Sequence, residues 1–317
     1  MHASDTKIDT GPAADADPLA RRVGLIGLGQ MGRGMARNLD RLGLLGAACD
    51  AVPTAFAAAE LSGEVANVAG VALVQRSDVI LLCVPSTREI RAVAEGPDGL
   101  FAARPRPGTV LVDLTTSDPA ATLDLAAEAE AAGYAYMDAA MTGGAAGADA
   151  GRLTLMMGGD EAVVARCAPV LSAIAAKTFR LGPVGSGQTM KLVHNMILHT
   201  TFLATCEGCR VAEHAGLDLA AVVDVLNAGN ARSFVSEVRF PNHILSGRFD
   251  ARSYVSTLLK DLRMAVELAE RLGQPAPFGR LTRDVLERAR AAGFGDEDFS
   301  RLYQRYAAIA EPAGAAS

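Results

Sequence analysis

The spacing of apolar residues changes once along this chain, near its middle. As far as residue 182, short apolar runs alternate with longer amphipathic stretches. Strand candidates cover 22–27, 44–49, 78–84, 109–114, 134–138, 152–158 and 177–181, with helical stretches between them such as 119–132, opened by Asp118, and 160–171. Strands alternating with helices predict a parallel, doubly wound sheet. After residue 185 the strand pattern stops. Helical runs are expected at 186–213, 219–227, 233–245, 254–272 and 278–292, with a short one at 298–307, punctuated by Gly229, Pro241, Gly247, Gly273, Pro275 and Gly293. The Gly182-Pro183 step marks the change. The expected organisation is a disordered lead-in (1–20), an α/β domain (21–182), an all-helical domain (183–311) and a disordered tail (312–317).

Composition narrows this picture without redirecting it. The 317 residues suffice for two ordinary domains, and 50% of them are hydrophobic. A net charge of -6 argues against nucleic acid as a partner. The apolar runs fall short of the ~20 residues that span a bilayer, so no membrane role is expected. The five cysteines lack framework spacing, which points to a reducing, cytoplasmic setting. Cys206 and Cys209 form a C-x-x-C within a predicted helix but have no second ligand pair, so they read as packed thiols, and no metal is expected.

The chemistry starts at Gly27-Leu28-Gly29-Gln30-Met31-Gly32, a G-x-G-x-x-G between a strand and a helix. In that context the first glycine makes the tight turn, the second admits a pyrophosphate and the third packs helix on strand. The first domain therefore reads as a Rossmann-type sheet. Asp50 ends the second strand, 18 residues after Gly32, where a carboxylate can bind the adenosine ribose and repel a 2′-phosphate. With Ala51 beside it instead of an arginine, NAD is expected, and NADP remains possible. Val84, Pro85 and Thr116 lie at the carboxyl ends of later strands and are candidate cofactor walls. Thr142, Gly143 and Gly144 place a hydroxyl and successive amides where an anion such as a carboxylate could bind. Gly187, Lys191 and Asn195 share one face of the longest helix, with Gly187 read as leaving room for something to lie there. Lys260-Asp261 breaks an otherwise apolar helix face. Of Arg232, Arg239, Arg248 and Arg252, one could reach a substrate, and the sequence does not say which.

Together these stretches resemble the β-hydroxyacid dehydrogenase family, which includes 3-hydroxyisobutyrate dehydrogenases and tartronate semialdehyde reductases. The resemblance rests on the glycine motif with Met35-Ala36-Arg37-Asn38-Leu39, on 138–147, on 185–195 and on Lys260-Asp261-Leu262. It implies that Lys191 is the catalytic acid/base and that Asn195 binds substrate. It also implies that Thr142, Gly143 and Gly144 hold the substrate carboxylate, that Lys260 closes over the cofactor or substrate, and that the chain forms a homodimer or homotetramer. Thr142 stands where the family usually has serine, and Ala140-Met141 replaces its usual proline-valine pair. A reductase like the 6-phosphogluconate or imine enzymes is an alternative reading. So is a non-catalytic nucleotide-binding or oligomerisation module, against which Lys191, Asn195, Thr142 and Lys260 all count.

Overall fold

A computed structural model of the protein describes residues 19–310. The expected disorder of the two ends falls outside that range, except that Leu19, assigned to the lead-in, is buried in the core. The first half runs β1 (Val23–Ile26), α1 (Gly32–Arg41), β2 (Leu45–Cys49), α2 (Ala55–Ala58), β3 (Ala66–Asn67), α3 (Gly70–Arg76), β4 (Val79–Leu82) and α4 (Thr87–Ala94). It continues with β5 (Val110–Asp113), α5 (Pro119–Ala131), β6 (Ala135–Thr142), α6 (Gly144–Asp149), β7 (Leu153–Gly158), α7 (Glu161–Ile174) and β8 (Ala175–Gly182). The second half is α8 (Ser186–His214), α9 (Leu219–Ala228), a π-type helix (Val235–Leu245), α10 (Val255–Arg271), α11 (Pro277–Ala291) and α12 (Leu302–Ala310), the last entered through a 3₁₀ turn.

The eight strands form one sheet in the order β3-β2-β1-β4-β5-β6-β7-β8. Neighbours from β3 to β6 are parallel, but β6 and β7 are antiparallel, so the expectation of a wholly parallel sheet is corrected at that point. The connection, residues 143–152, is shorter than the dozen or so residues that a crossover needs, and the chain turns back. For the same reason β6 outruns the predicted 134–138. Residues 138–142 pair with 154–158 and so lengthen the strand.

Alternate strand residues enter two cores, one on each face. Leu25, Val79, Leu81 and Val112 join Met35 and Leu39 of α1 on one side. Ile26, Ile80, Leu82 and Leu111 join Leu73 and Leu125 on the other. A third core around Phe202, Phe240, Leu258, Leu262 and Leu286 lies within the helical half. Cys206 and Cys209 are buried there as free thiols, and burial pushes both well above the usual thiol range. Pro241 falls inside the π-type helix; it has no amide proton to offer an α-helical turn, and the wider turn accommodates it.

One carboxylate docks the long helix on the sheet. Asp138, fully buried in β6, accepts hydrogen bonds from the amides of Gly185 (2.7 Å) and Gln188 (2.8 Å) at the start of α8. An anion here satisfies orphan N–H groups and suits the helix dipole. Gln188, also fully buried, adds a second tie: its Nε2 donates to the Thr115 carbonyl (2.6 Å), and its Oε1 accepts from the Ser117 amide (3.0 Å). Such contact requires Gly187. A Cβ there would meet the Met156 carbonyl oxygen at 2.2 Å, so this glycine makes room for β7, and its reading as space for a ligand is corrected.

Two glycines of α8 should therefore respond oppositely to alanine. Gly187→Ala is expected to cost roughly 2 kcal/mol or more, because backbone must shift. Gly208→Ala, where an added methyl meets nothing within 4 Å, should stabilise by about 0.5–1 kcal/mol through helix propensity. Thermal melts of both variants check the pair, and a Gly187→Ala melt at or above wild type would refute the docking argument.

Candidate active site

Because β2, β1, β4, β5 and β6 are parallel neighbours, their carboxyl ends form one edge. The candidate residues follow it in spatial order: Asp50 after β2, the glycine turn after β1, Val84 and Pro85 after β4, Thr116 after β5, and Thr142 ending β6. The order reverses between β1 and β4, where doubly wound sheets open their ligand crevice.

Each glycine of the turn has its own geometry. Gly27 has φ +100° and lies so close to the end of β4 that a Cβ would meet the Cys83 carbonyl oxygen at 2.1 Å. Gly32 would clash with the Gly27 carbonyl oxygen at 1.8 Å, while a Cβ on Gly29 would meet nothing within 4 Å. Turn, open approach and close packing are thus separate properties of three positions, and the cradle fits a dinucleotide pyrophosphate. Leu28 donates its amide to Asp50 Oδ2 (2.6 Å), so the acid at the end of β2 also braces the turn. Its Oδ1 accepts from the Val52 amide at 2.7 Å. The Val84 amide lies 3.4 Å from Thr115 Oγ1, tying the β4 and β5 ends together.

The helical half reaches this edge through three cations. Lys260 donates to the Thr116 carbonyl at 3.1 Å. Arg252 donates to Gln30 Oε1 within the glycine turn (2.8 Å) and pairs with Asp149 (3.1 Å), from a backbone with φ +59°. Arg271 pairs with Asp118 at the start of α5.

Between these ties runs a chain of polar side chains. Asn195 Nδ2 donates to Asp261 Oδ2 at 2.6 Å, which leaves Oδ1 to accept from His194 Nδ1 at 2.9 Å. A neutral His194 then carries its proton on Nδ1 and turns the lone pair of Nε2 toward Thr142 Oγ1, 3.5 Å away. Burial, reinforced by the charge of Lys191, lowers the His194 pKa and keeps the ring neutral. Asp261, 4% exposed, also lies 3.1 Å from the Nζ of half-buried Lys260, so the pair joins a buried acid to the seam between the two halves.

Lys191, half-buried, sits beside these groups and has no hydrogen bond or ion pair of its own among the described residues. Burial pushes its pKa down to about 8, with Asp261 opposing the shift and Lys260 adding to it. Gly143 (φ +123°) and Gly144 (φ +63°) are exposed where β6 turns into α6, and a Cβ on Gly144 would meet open space. The structure thus joins Thr142, Asn195, Lys260 and Thr116 through His194 and Asp261, and sets Lys191 beside them. His194 was absent from the expected site residues, and Asp261 was seen only as the neighbour of Lys260. Nothing in sequence spacing pairs positions 195 and 261.

A glycine cradle on a doubly wound sheet, with a half-buried lysine of lowered pKa on the helix docked to that sheet, marks an oxidoreductase that uses a nicotinamide dinucleotide. Residues 22–182 match the family model for the NAD-binding domain of 6-phosphogluconate dehydrogenase. Residues 185–306 match that for the NAD-binding region of NADP-dependent 3-hydroxyisobutyrate dehydrogenase. The chain is 33% identical to 2-(hydroxymethyl)glutarate dehydrogenase of Eubacterium barkeri, over 89% of this chain and 93% of that one. It is 32% identical to L-threonate dehydrogenase of Cupriavidus necator, over 93% and 99% of the two. Among solved structures, the 3-hydroxyisobutyrate dehydrogenase of Mycobacterium tuberculosis with L-serine superposes with a TM-score of 0.79 at 30% identity, covering 90% of this chain and 98% of that one. The chain belongs to the β-hydroxyacid dehydrogenase family.

The buried acids beneath the site make stability depend on pH. Burial raises Asp113 from 3.8 to about 7, opposed by the Thr115 amide and the Tyr136 hydroxyl and helped by the charge of Asp138. Asp138 is likewise raised, to about 6. In the folded state both hold protons that the unfolded chain has already released, so stability falls as pH rises from about 4 through these values. Asp113→Asn is expected to raise the melting temperature at pH 8 and to flatten its slope between pH 5 and pH 8. An unchanged slope would show that Asp113 does not titrate in that window.

Proposed function

We propose that the protein oxidises a small 3-hydroxy acid with NAD as the preferred cofactor, or reduces the corresponding semialdehyde or keto acid, with Lys191 as general acid/base. The observation that carries this reading is Lys191, half-buried and unpaired among the described residues, within electrostatic reach of Asp261 in the Asn195–Asp261 pair and carried on the helix docked to a dinucleotide-type sheet. Bound NAD supplies the hydride acceptor. The turn from Gly27 to Gly32, with Leu28, Gln30 and Met31 between its glycines, would hold the pyrophosphate. Asp50 would take the ribose, Val84, Pro85 and Thr116 would form walls, and Lys260 would close over it.

On the substrate side, Thr142, Gly143 and Gly144 receive the carboxylate and Asn195 holds the reacting hydroxyl. As the C–H bond yields its hydride, the hydroxyl proton passes to the neutral amine of Lys191. In the reverse direction the Lys191 ammonium returns a proton to the carbonyl oxygen, so one group serves both directions near its own pKa. Docking Lys260 on Thr116 closes the seam and excludes water from the reacting centre. Absence of the 2′-phosphate, as in NAD, suits the Asp50 carboxylate.

Self-association as a homodimer or homotetramer is part of the reading. An open apolar groove of about 470 Å³ lies on the other face of α8, lined by Leu123, Leu181, Met190 and Val193 with no ionisable group. Ile197 (59% exposed) continues along the same helix. A cytoplasmic setting is also proposed. Among the described residues, no helix is long and apolar enough to cross a membrane.

Three outcomes follow, on pH, on Lys191 and on Asp50. In the oxidation direction, kcat/KM for 3-hydroxyisobutyrate or a similar acid should fall about tenfold per pH unit below about 8, because the base must be unprotonated. In the reduction direction it should fall above that value. Lys191→Ala should cost roughly 10²–10⁴-fold, and an active Lys191→Ala enzyme would rule out the mechanism. Separately, Asp50→Asn should lower the NAD-over-NADP ratio of kcat/KM at least ~tenfold, a difference of roughly 1.4 kcal/mol. A wild-type enzyme that prefers NADP would overturn the role given to Asp50.

A further inference from the structure

The four arginines that the sequence left equivalent take different places. Arg232 pairs with Glu237 (3.7 Å), Arg248 pairs with Asp250 (3.4 Å), and the Arg239 guanidinium lies over the rings of Phe299 and Phe234, all within the helical half. Of the four, Arg252 alone bonds across to the α/β half among the described residues. Its Nη2 and Nε donate to Gln30 Oε1 (2.8 and 3.2 Å), and its Nη1 lies 3.1 Å from Asp149 Oδ2.

Stability alone does not account for this arrangement. The Arg252 and Asp149 side chains are 35% and 40% exposed, and ion pairs so open to water contribute little. Yet Arg252 holds φ +59°, a conformation that favours glycine. Its backbone is fastened there. The Arg252 amide donates to Asp298 Oδ2 at 2.8 Å, and Tyr254 forms a β-bridge with Asp298. The helical half thus presents this guanidinium to the glycine turn from a fixed mount.

Charge at the turn is out of balance. Residues 27–32 carry no ionisable side chain. Arg33 donates to the same Gln30 Oε1 at 2.8 Å and has no ion pair among the described residues. Two guanidiniums therefore converge on one neutral amide oxygen, bringing three N–H groups to an atom with two lone pairs. Among the described residues, Asp149 is the one carboxylate paired with either of them. The surplus of positive charge lies beside Gly29, which is exposed and where an added Cβ would meet open space. The amides of the turn and the dipole of α1 favour a diphosphate but supply no full charge against its two negative ones.

We propose that Arg252 is the counter-charge for the diphosphate of the cofactor, supplied to the glycine turn by the helical half. This rests on the dinucleotide reading above and adds a binding residue to it. When the dinucleotide binds, the guanidinium leaves Gln30 and Asp149 for the phosphate oxygens, the charged acceptors that its planar fork matches. Until then Asp149 holds it, and so competes with the cofactor. The segment that bears Arg252 runs directly into α10, so the element that answers the cofactor's charge also carries Lys260 and Asp261.

The test is equilibrium binding of NADH and of ADP-ribose, read by titration calorimetry at low and high salt. It compares wild type with Arg252→Gly, Asp149→Asn and the double variant. Glycine accepts the native φ, so Arg252→Gly removes the cation without straining the backbone. That variant should bind both ligands at least about tenfold more weakly, with a shallower salt dependence. Asp149→Asn should bind both more tightly than wild type, and the double variant should lose that gain. A strap that only joins the two halves gives another pattern: Arg252→Gly melts at a lower temperature but keeps wild-type affinity, and Asp149→Asn gains none. That pattern overturns the proposal, as does a gain from Asp149→Asn that persists without Arg252. Should Arg252→Gly fail to fold, Arg252→Gln takes its place in the same comparison. Wild-type protein that binds neither ligand would sink the dinucleotide reading itself.

Discussion

The structure depends on one buried carboxylate meeting the start of one helix. Asp138 accepts amides from both Gly185 and Gln188, and so fixes where α8 leaves the sheet and which face it presents. Lys191 and Asn195 come one and two turns after Gln188, and their direction is inherited from that anchor. The carboxylate carries a desolvation penalty, visible as a pKa raised to about 6, which the amides offset only in part. A fully apolar contact would avoid that penalty but would leave the first amides of α8 unsatisfied.

The polar chain from Thr142 to Thr116 shows how the two halves are held in register. Each of its links crosses between elements or joins adjacent side chains: β6 to α8, His194 to Asn195, α8 to α10, and α10 to the end of β5. Because Asn195 donates to Asp261 and accepts from His194, the carboxylate of α10 fixes the tautomer of an imidazole it does not touch. Lys191 needs no direct partner in this arrangement. Its environment is set by burial and by the opposing charges of Asp261 and Lys260.

Much of this was legible in the sequence, for identifiable reasons. The glycine turn could be read because close backbone leaves only glycine at positions 27 and 32, and an approaching pyrophosphate asks for the open space at Gly29. The long helices could be read because their apolar period persists for many turns. The wholly parallel sheet could not, since strand polarity between β6 and β7 depends on a connection length that the glycine-rich stretch disguises. Gly187 was misread because a small residue on a helix face makes room for whatever approaches, and the sequence does not show that β7 does so. The Asn195–Asp261 contact and the service of Asp138 to α8 are both long-range relations. They leave no periodicity behind.

The docking of α8 bears on how far this protein can be treated as modular. Composition changes at Gly182-Pro183, yet the Asp138 carboxylate, the Thr115 carbonyl and the Ser117 amide are met by Gly185 and Gln188 beyond that step. A fragment ending at residue 182 would expose a buried acid and two strand ends, and the opening turns of α8 belong energetically to the sheet they leave. Any exchange of helical halves between relatives would have to carry the junction at a point beyond Asn195, or replace both sides of the seam together.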